Sequence, residues 1–103
     1  MNLGVEMRTK SIYKVPEGKL LKVFLDFDKD KINTIKLTGD FFLHPESGIE
    51  LIEKGLEGKG FSKEELINEI NRVVNENKIE FFGINAEAIV KAIFLAKEGK
   101  ECN

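Results

Sequence analysis

Apolar residues change their spacing once along this chain, and the change falls near Pro45. From Met7 to Leu43 they favour every second position, with Leu21, Val23, Leu25 and Phe27 alternating against Lys22, Phe24, Asp26 and Asp28. Successive side chains of an extended strand point to opposite faces, so the pattern predicts a strand buried on one side. A weaker strand is expected over Met7 to Val15 and another over Ile32 to Thr38, where Ile35 and Leu37 share a face. Val15-Pro16-Glu17-Gly18 joins the first two, because Pro presets the second turn position and Gly suits the fourth. Asp28-Lys29-Asp30-Lys31 is the polar turn before the third. Together these predict a three-stranded antiparallel meander.

Beyond Pro45 the spacing is three to four. Ile49, Ile52 and Leu56 form a first stripe, which Gly58-Lys59-Gly60 ends. Ser62 with Glu65 three residues later is a capping box, and Phe61 and Leu66 take the staple positions around it. Leu66, Ile67, Ile70, Val73 and Val74 follow on one face. Asn85 can cap a third helix carrying Ile89, Val90, Ile93 and Phe94, with Gly99 at its far end. Strands followed by helices, instead of strict alternation, predict an α+β domain: a three-stranded antiparallel sheet covered by about three C-terminal helices.

At 103 residues and 42% apolar content, residues 1–103 make a single domain with one core. A chain this short buries roughly 60 to 70% of its unfolded surface, which leaves little room for a large enclosed active site. The net charge is −2, which disfavours general attraction to nucleic acid. It conceals an asymmetry: residues 1–39 carry eight basic and five acidic groups, residues 40–103 eight basic and thirteen acidic. A lone cysteine, Cys102, rules out an intrachain disulfide and fits a reduced cytoplasm. No export signal is apparent at the N-terminus, and the apolar runs are too short to span a bilayer.

Most chemical motifs fail on inspection. Asp26, Asp28 and Asp30 match the first three positions of a calcium loop, but Lys31 replaces its Gly and Leu37 its bidentate Glu. Gly55, Gly58 and Gly60 have neither phosphate-loop nor dinucleotide spacing. One His and one Cys cannot build a structural zinc site within the chain, so no metal site is expected. His44 has no recognisable catalytic partner and reads as a turn residue before Pro45. No catalytic residue is assigned.

Two places resist dismissal. Lys14 and Lys19 flank the first turn, either to meet an anion brought by a partner or as solvated edge charges. In Gly39-Asp40-Phe41-Phe42-Leu43-His44-Pro45, Gly39 permits an unusual backbone angle and Asp40 can accept bonds from nearby N–H groups. Adjacent aromatics in an extended chain cannot both enter one core, so either one Phe is left for a partner or the chain kinks and buries both.

These residues resemble the C-terminal accessory domain of lipoate-protein ligases, which occurs as a separate small subunit in archaeal-type systems. Tyr13-Lys14-Val15-Pro16-Glu17-Gly18-Lys19-Leu20 is similar to its opening segment, and Ile35 to Pro45, centred on Thr38-Gly39-Asp40-Phe41-Phe42, to its signature strand end. Leu56-Glu57-Gly58 with Phe61, and Ile79-Glu80-Phe81-Phe82-Gly83-Ile84, are similar to its closing pattern. The resemblance implies a larger catalytic partner that binds ATP, Mg and lipoate, forms lipoyl-adenylate and passes the lipoyl group to a lysine of an acceptor protein. The family's pattern of an Arg-Arg pair shortly before a Gly triplet is missing, since only Arg8 and Arg72 occur, so the adenylating centre is expected on another polypeptide and no cofactor on this chain alone. Lys14, Gly18, Lys19, Gly39, Asp40, Phe41, Phe42, His44 and Pro45 are then the candidates for the partner interface or for closing its active site. The acceptor protein would be met indirectly, with no nucleic acid and no membrane as partner. A free-standing scaffold or small-ligand module on the same fold is the alternative.

Overall fold

The computed structural model describes residues 6–16 and 18–99, so the turn residue Glu17, the N-terminal stretch 1–5 and Cys102 lie outside the described residues. Three strands form first: β1 (Glu6–Lys14), β2 (Leu20–Asp28) and β3 (Lys31–Gly39), antiparallel in the order β1-β2-β3. Their register places Ser11, Val23 and Leu37 side by side on one face and Lys10, Phe24 and Lys36 side by side on the other. The turn after β1 closes with the Gly18 N–H donating to the Val15 carbonyl oxygen at 2.8 Å. A bulge between Asp26 and Phe27 shifts the β2–β3 register, which lets Ile32 join Ile35 and Leu37 in the core.

The chain then makes a second, two-stranded sheet that the change of period near Pro45 does not announce. β4 (Phe42–His44) pairs antiparallel with β5 (Glu80–Phe82), setting Phe42 opposite Phe82, Leu43 opposite Phe81 and His44 opposite Glu80. The helices α1 (Gly48–Leu56), α2 (Lys63–Asn77) and α3 (Ala86–Lys97) fill the spaces between and after these strands. Ser62 accepts the Glu65 N–H at 3.4 Å and Asn85 accepts the Ala88 N–H at 2.8 Å, so both expected caps form. Lys78, not a glycine, ends α2 in the left-handed conformation at φ 53°.

α1 packs on β3, α3 on β1 and β2, and α2 on the two other helices. Leu21, Leu25, Ile32, Ile52, Leu56, Leu66, Ile70, Ile89 and Ile93 fill the space between them. Alanines at 88, 92 and 96 are buried on α3 and let it approach the sheet closely, near enough for the buried Ser11 hydroxyl to donate to the Ala92 carbonyl oxygen at 2.7 Å. Phe61 meets Phe27 edge-on at 5.4 Å between ring centroids and Phe94 at 6.3 Å, joining the approach to α2 with both β2 and α3. No helix among the described residues is long and apolar enough to cross a membrane.

The two edges of the large sheet are treated differently. Along β3 the Ile32 N–H donates to the Lys59 carbonyl oxygen, the Ile32 carbonyl oxygen accepts the Gly58 N–H, and the Leu37 N–H donates to a Glu53 carboxylate oxygen at 2.8 Å. β1 has only β2 as a strand neighbour among the described residues.

Candidate functional site

The segments that carry the family resemblance converge at one end of the sheet. The Lys19 N–H donates to the Gly83 carbonyl oxygen at 3.0 Å, and the Asp40 N–H donates to the Leu20 carbonyl oxygen at 3.1 Å. These two bonds tie the β1–β2 turn, the β3–β4 junction and the loop after β5 into a single corner.

Small residues are a geometric requirement of that corner. Gly39 has φ +149°, and a Cβ there would press into the Leu20 carbonyl group. Gly83 has φ +94°, and its Cβ would run into the Lys19 side chain. At Gly18 the requirement is space, since a Cβ would lie 2.6 Å from the Gly83 carbonyl oxygen.

This packing decides what the aromatics present. Phe41 is half-buried against the core, whereas Phe42 is 61% exposed and Phe82, across the β4–β5 pair, 44% exposed. Their rings stack with centroids 5.0 Å apart and planes 22° from parallel. Two stacked phenyl rings open to solvent make an apolar contact patch.

The other expected residues fall around it. Lys19 is exposed against Gly83, next to Phe82, and Lys14 is exposed opposite Leu20 at the end of β1. Asp40 contributes its backbone; its carboxylate accepts no hydrogen bond among the described residues, contrary to the expected turn role. His44 is exposed opposite Glu80 and joined to Pro45 by a cis peptide bond, and the Pro45 carbonyl oxygen accepts the Gly48 N–H at the start of α1. His44 and Pro45 therefore belong to the far end of β4 and the entry to α1, away from the glycine corner. Phe82 and Gly83 were not singled out by their chemistry; the available signal was a second Phe-Phe doublet, followed by Gly.

Elsewhere the electrostatics are structural. On α2 the Glu69 carboxylate takes hydrogen bonds from Arg72 and lies 3.7 Å from Lys59 Nζ. The Arg72 bond, helped by the Arg72 and Lys59 charges, outweighs burial and lowers the Glu69 pKa below its ordinary value of 4.5. Among the described residues no group of three His, Cys, Asp or Glu side chains is placed to hold a metal ion. A concavity of about 750 Å³ runs between the end of β1 and α3 and is bordered by Tyr13, Pro16, Lys63, Lys91, Phe94 and Leu95.

Comparison with known proteins matches residues 5–93 to the family described as the C-terminus of bacterial lipoate protein ligase. Lipoate-protein ligase A subunit 2 of Thermoplasma acidophilum is 31% identical over 93 residues, which span 90% of this chain and 95% of that protein. A solved chain from the bipartite lipoate protein ligase and E2 lipoyl domain system of the same organism superposes with a TM-score of 0.74 at 28% identity. That match covers 86% of this chain and 97% of the other.

Proposed function

The chain belongs to the family of bacterial lipoate protein ligase C-termini, and from that premise we propose that it is the accessory subunit of a two-chain lipoate-protein ligase. In this reading a larger subunit binds ATP, Mg and lipoate and forms lipoyl-adenylate, and this chain supplies no reacting group. The observation that carries it is the exposed stack of Phe42 and Phe82, next to a corner packed too closely for any residue but glycine at positions 18, 39 and 83. Such a patch fits an apolar recess on the catalytic subunit.

What docking would achieve follows from the chemistry. Adenylate formation brings a carboxylate against the α-phosphate, two anions that repel unless held and neutralised. The mixed anhydride formed is open to hydrolysis. A domain that closes over the catalytic subunit excludes water and orders the loops around the nucleotide, which is a gating role. Lys19, against Gly83 next to the patch, is placed to meet an anionic group of the partner. The reaction is assigned to the cytoplasm, where ATP is supplied.

The test is an adenylation assay with the catalytic subunit alone, this chain alone and the two mixed. Pyrophosphate release and lipoyl-adenylate should rise strongly in the mixture only. Full activity of the catalytic subunit by itself, or turnover by this chain by itself, would overturn the reading. A second reading, a small-ligand module, draws on the 750 Å³ concavity beside α3, which has the size of a ligand site. A stable complex with the catalytic subunit, with no dependence of that complex on Tyr13 or Leu95, would decide against it.

A further inference from the structure

The excess of cations in the first 39 residues is gathered on one surface. Strand register puts Arg8, Lys10 and Lys14 of β1, Lys22 of β2 and Lys36 of β3 on the face of the sheet opposite the helices. In the middle of them Phe24, 43% exposed, lies directly between Lys10 and Lys36. The acidic residues of this face, Asp26 and Asp28 with Glu6 at the register position opposite Asp28, are confined to the end near the β2–β3 hairpin, where Arg8 approaches Asp26 at 3.5 Å. The rest of the face is uniformly positive on a molecule whose net charge is −2.

Protection of sheet edges explains lysines on border strands. It does not explain Lys22 and the exposed Phe24, which stand on the central strand where no edge pairing can occur. Cations on neighbouring strands repel one another, and the exposed part of the Phe24 ring is apolar surface that folding leaves in water. An anionic surface with an apolar contact for Phe24 would relieve both.

We propose that this open face is a docking surface for an acidic face of the lipoyl-accepting protein. The inference rests on the accessory-subunit reading and adds a direct contact with the acceptor. The two surfaces differ in kind: the stacked rings of Phe42 and Phe82 suit a lasting apolar joint, whereas a sheet of lysines around one ring suits a partner that must arrive and leave in every turnover. Charge complementarity raises the rate of encounter more than it strengthens the complex, which is what a substrate protein needs. Single-stranded nucleic acid is a poorer fit, because such sites offer successive stacking rings and this face offers one, with acidic residues at its end.

The experiment compares the two-chain ligase rebuilt with wild-type chain and with a Lys10→Glu, Lys22→Glu, Lys36→Glu variant. Lipoyl transfer is followed against concentration of the acceptor's lipoyl domain, and adenylate formation is followed without acceptor. The acceptor KM should rise about tenfold in the variant at low salt, and the wild type should show a similar rise between about 50 and 300 mM NaCl, with adenylate formation unchanged. An unchanged KM, or a loss confined to adenylate formation or to assembly of the two chains, would overturn the proposal. Salt-sensitive binding of a labelled single-stranded RNA that the variant loses, with acceptor KM unaffected, would also overturn it. If the wild-type chain fails to stimulate the catalytic subunit, the accessory reading itself fails. Titration of the isotope-labelled chain with the lipoyl domain alone still decides the contact: shifts at Phe24 and Lys22 support it, and their absence rejects it.

Discussion

The Ser11 hydroxyl donates to the Ala92 carbonyl oxygen at 2.7 Å, while two residues earlier on the same face of β1 the Thr9 hydroxyl is buried without a hydrogen-bond partner. The two hydroxyls should answer mutation with opposite signs. Ser11→Ala removes the polar tie between sheet and α3 and should cost about 1 kcal/mol, whereas Thr9→Val removes an unpaired buried polar atom and should stabilise by about 1 kcal/mol. Urea unfolding of the two variants beside the wild type measures both, and a like sign for both would contradict the geometry.

Truncating the stacked rings separates folding from assembly. Phe42→Ala with Phe82→Ala removes mostly exposed surface, so the isolated chain should unfold within about 1 kcal/mol of wild type while affinity for the catalytic subunit falls by about 2 kcal/mol or more. Asp40→Ala with Phe42→Ala should likewise weaken the complex and leave the fold, because the Asp40 contact to Leu20 is made by backbone. Calorimetric titration against the catalytic subunit, paired with thermal melts, distinguishes the two effects.

Gly39→Ala is expected to be the more damaging change, since φ +149° is strained for any side chain and the added Cβ meets the Leu20 carbonyl group. A loss of about 2–3 kcal/mol of stability should accompany loss of partner binding, and low temperature should restore folding before it restores binding. Thermal melts and binding measured at several temperatures check the order.

Glu53 holds the edge of β3 through one charged hydrogen bond to the Leu37 N–H. Glu53→Ala should cost about 1.5–3 kcal/mol and expose that amide, seen as faster hydrogen exchange at Leu37 relative to Val23 on the central strand. Glu53→Gln, which keeps an acceptor, should restore most of the protection.

The depressed pKa of Glu69 fixes the sign of one pH effect. A carboxylate that binds its proton less readily when folded contributes stability above its unfolded value, near 4.5, and loses it as the pH falls through the lower folded value. The melting temperature of wild type should therefore exceed that of Glu69→Gln at pH 7, and the gap should close on acidification below pH 4.5. A gap that does not change with pH would show that the Arg72 contact acts without charge.

The strands and helices could be read because each spans several repeats of its own period: Leu21 to Phe27 for β2, Leu66 to Val74 for α2. Caps at Ser62 and Asn85 sharpened the helix starts through local chemistry alone. β4 and β5 escaped the same reading, since three residues are too few to establish an alternation and each finds its partner far along the chain. The inward turn of Ile32 depends on a bulge that no single residue signals. At the corner, Gly39 and Phe42 stood out through their own motif, while Phe82 acquires its meaning only by stacking on Phe42. The gathering of lysines on one face was visible as an excess in half the chain, but their arrangement around Phe24 required the register.

The unequal borders of the large sheet also limit how copies of this molecule can meet. With the β3 border occupied by Glu53 and the loop through Gly58 and Lys59, β1 is the border of the large sheet left open to another strand among the described residues. Two copies joined there would leave a closed border at each end of the shared sheet, so growth of that sheet by strand addition stops at a pair.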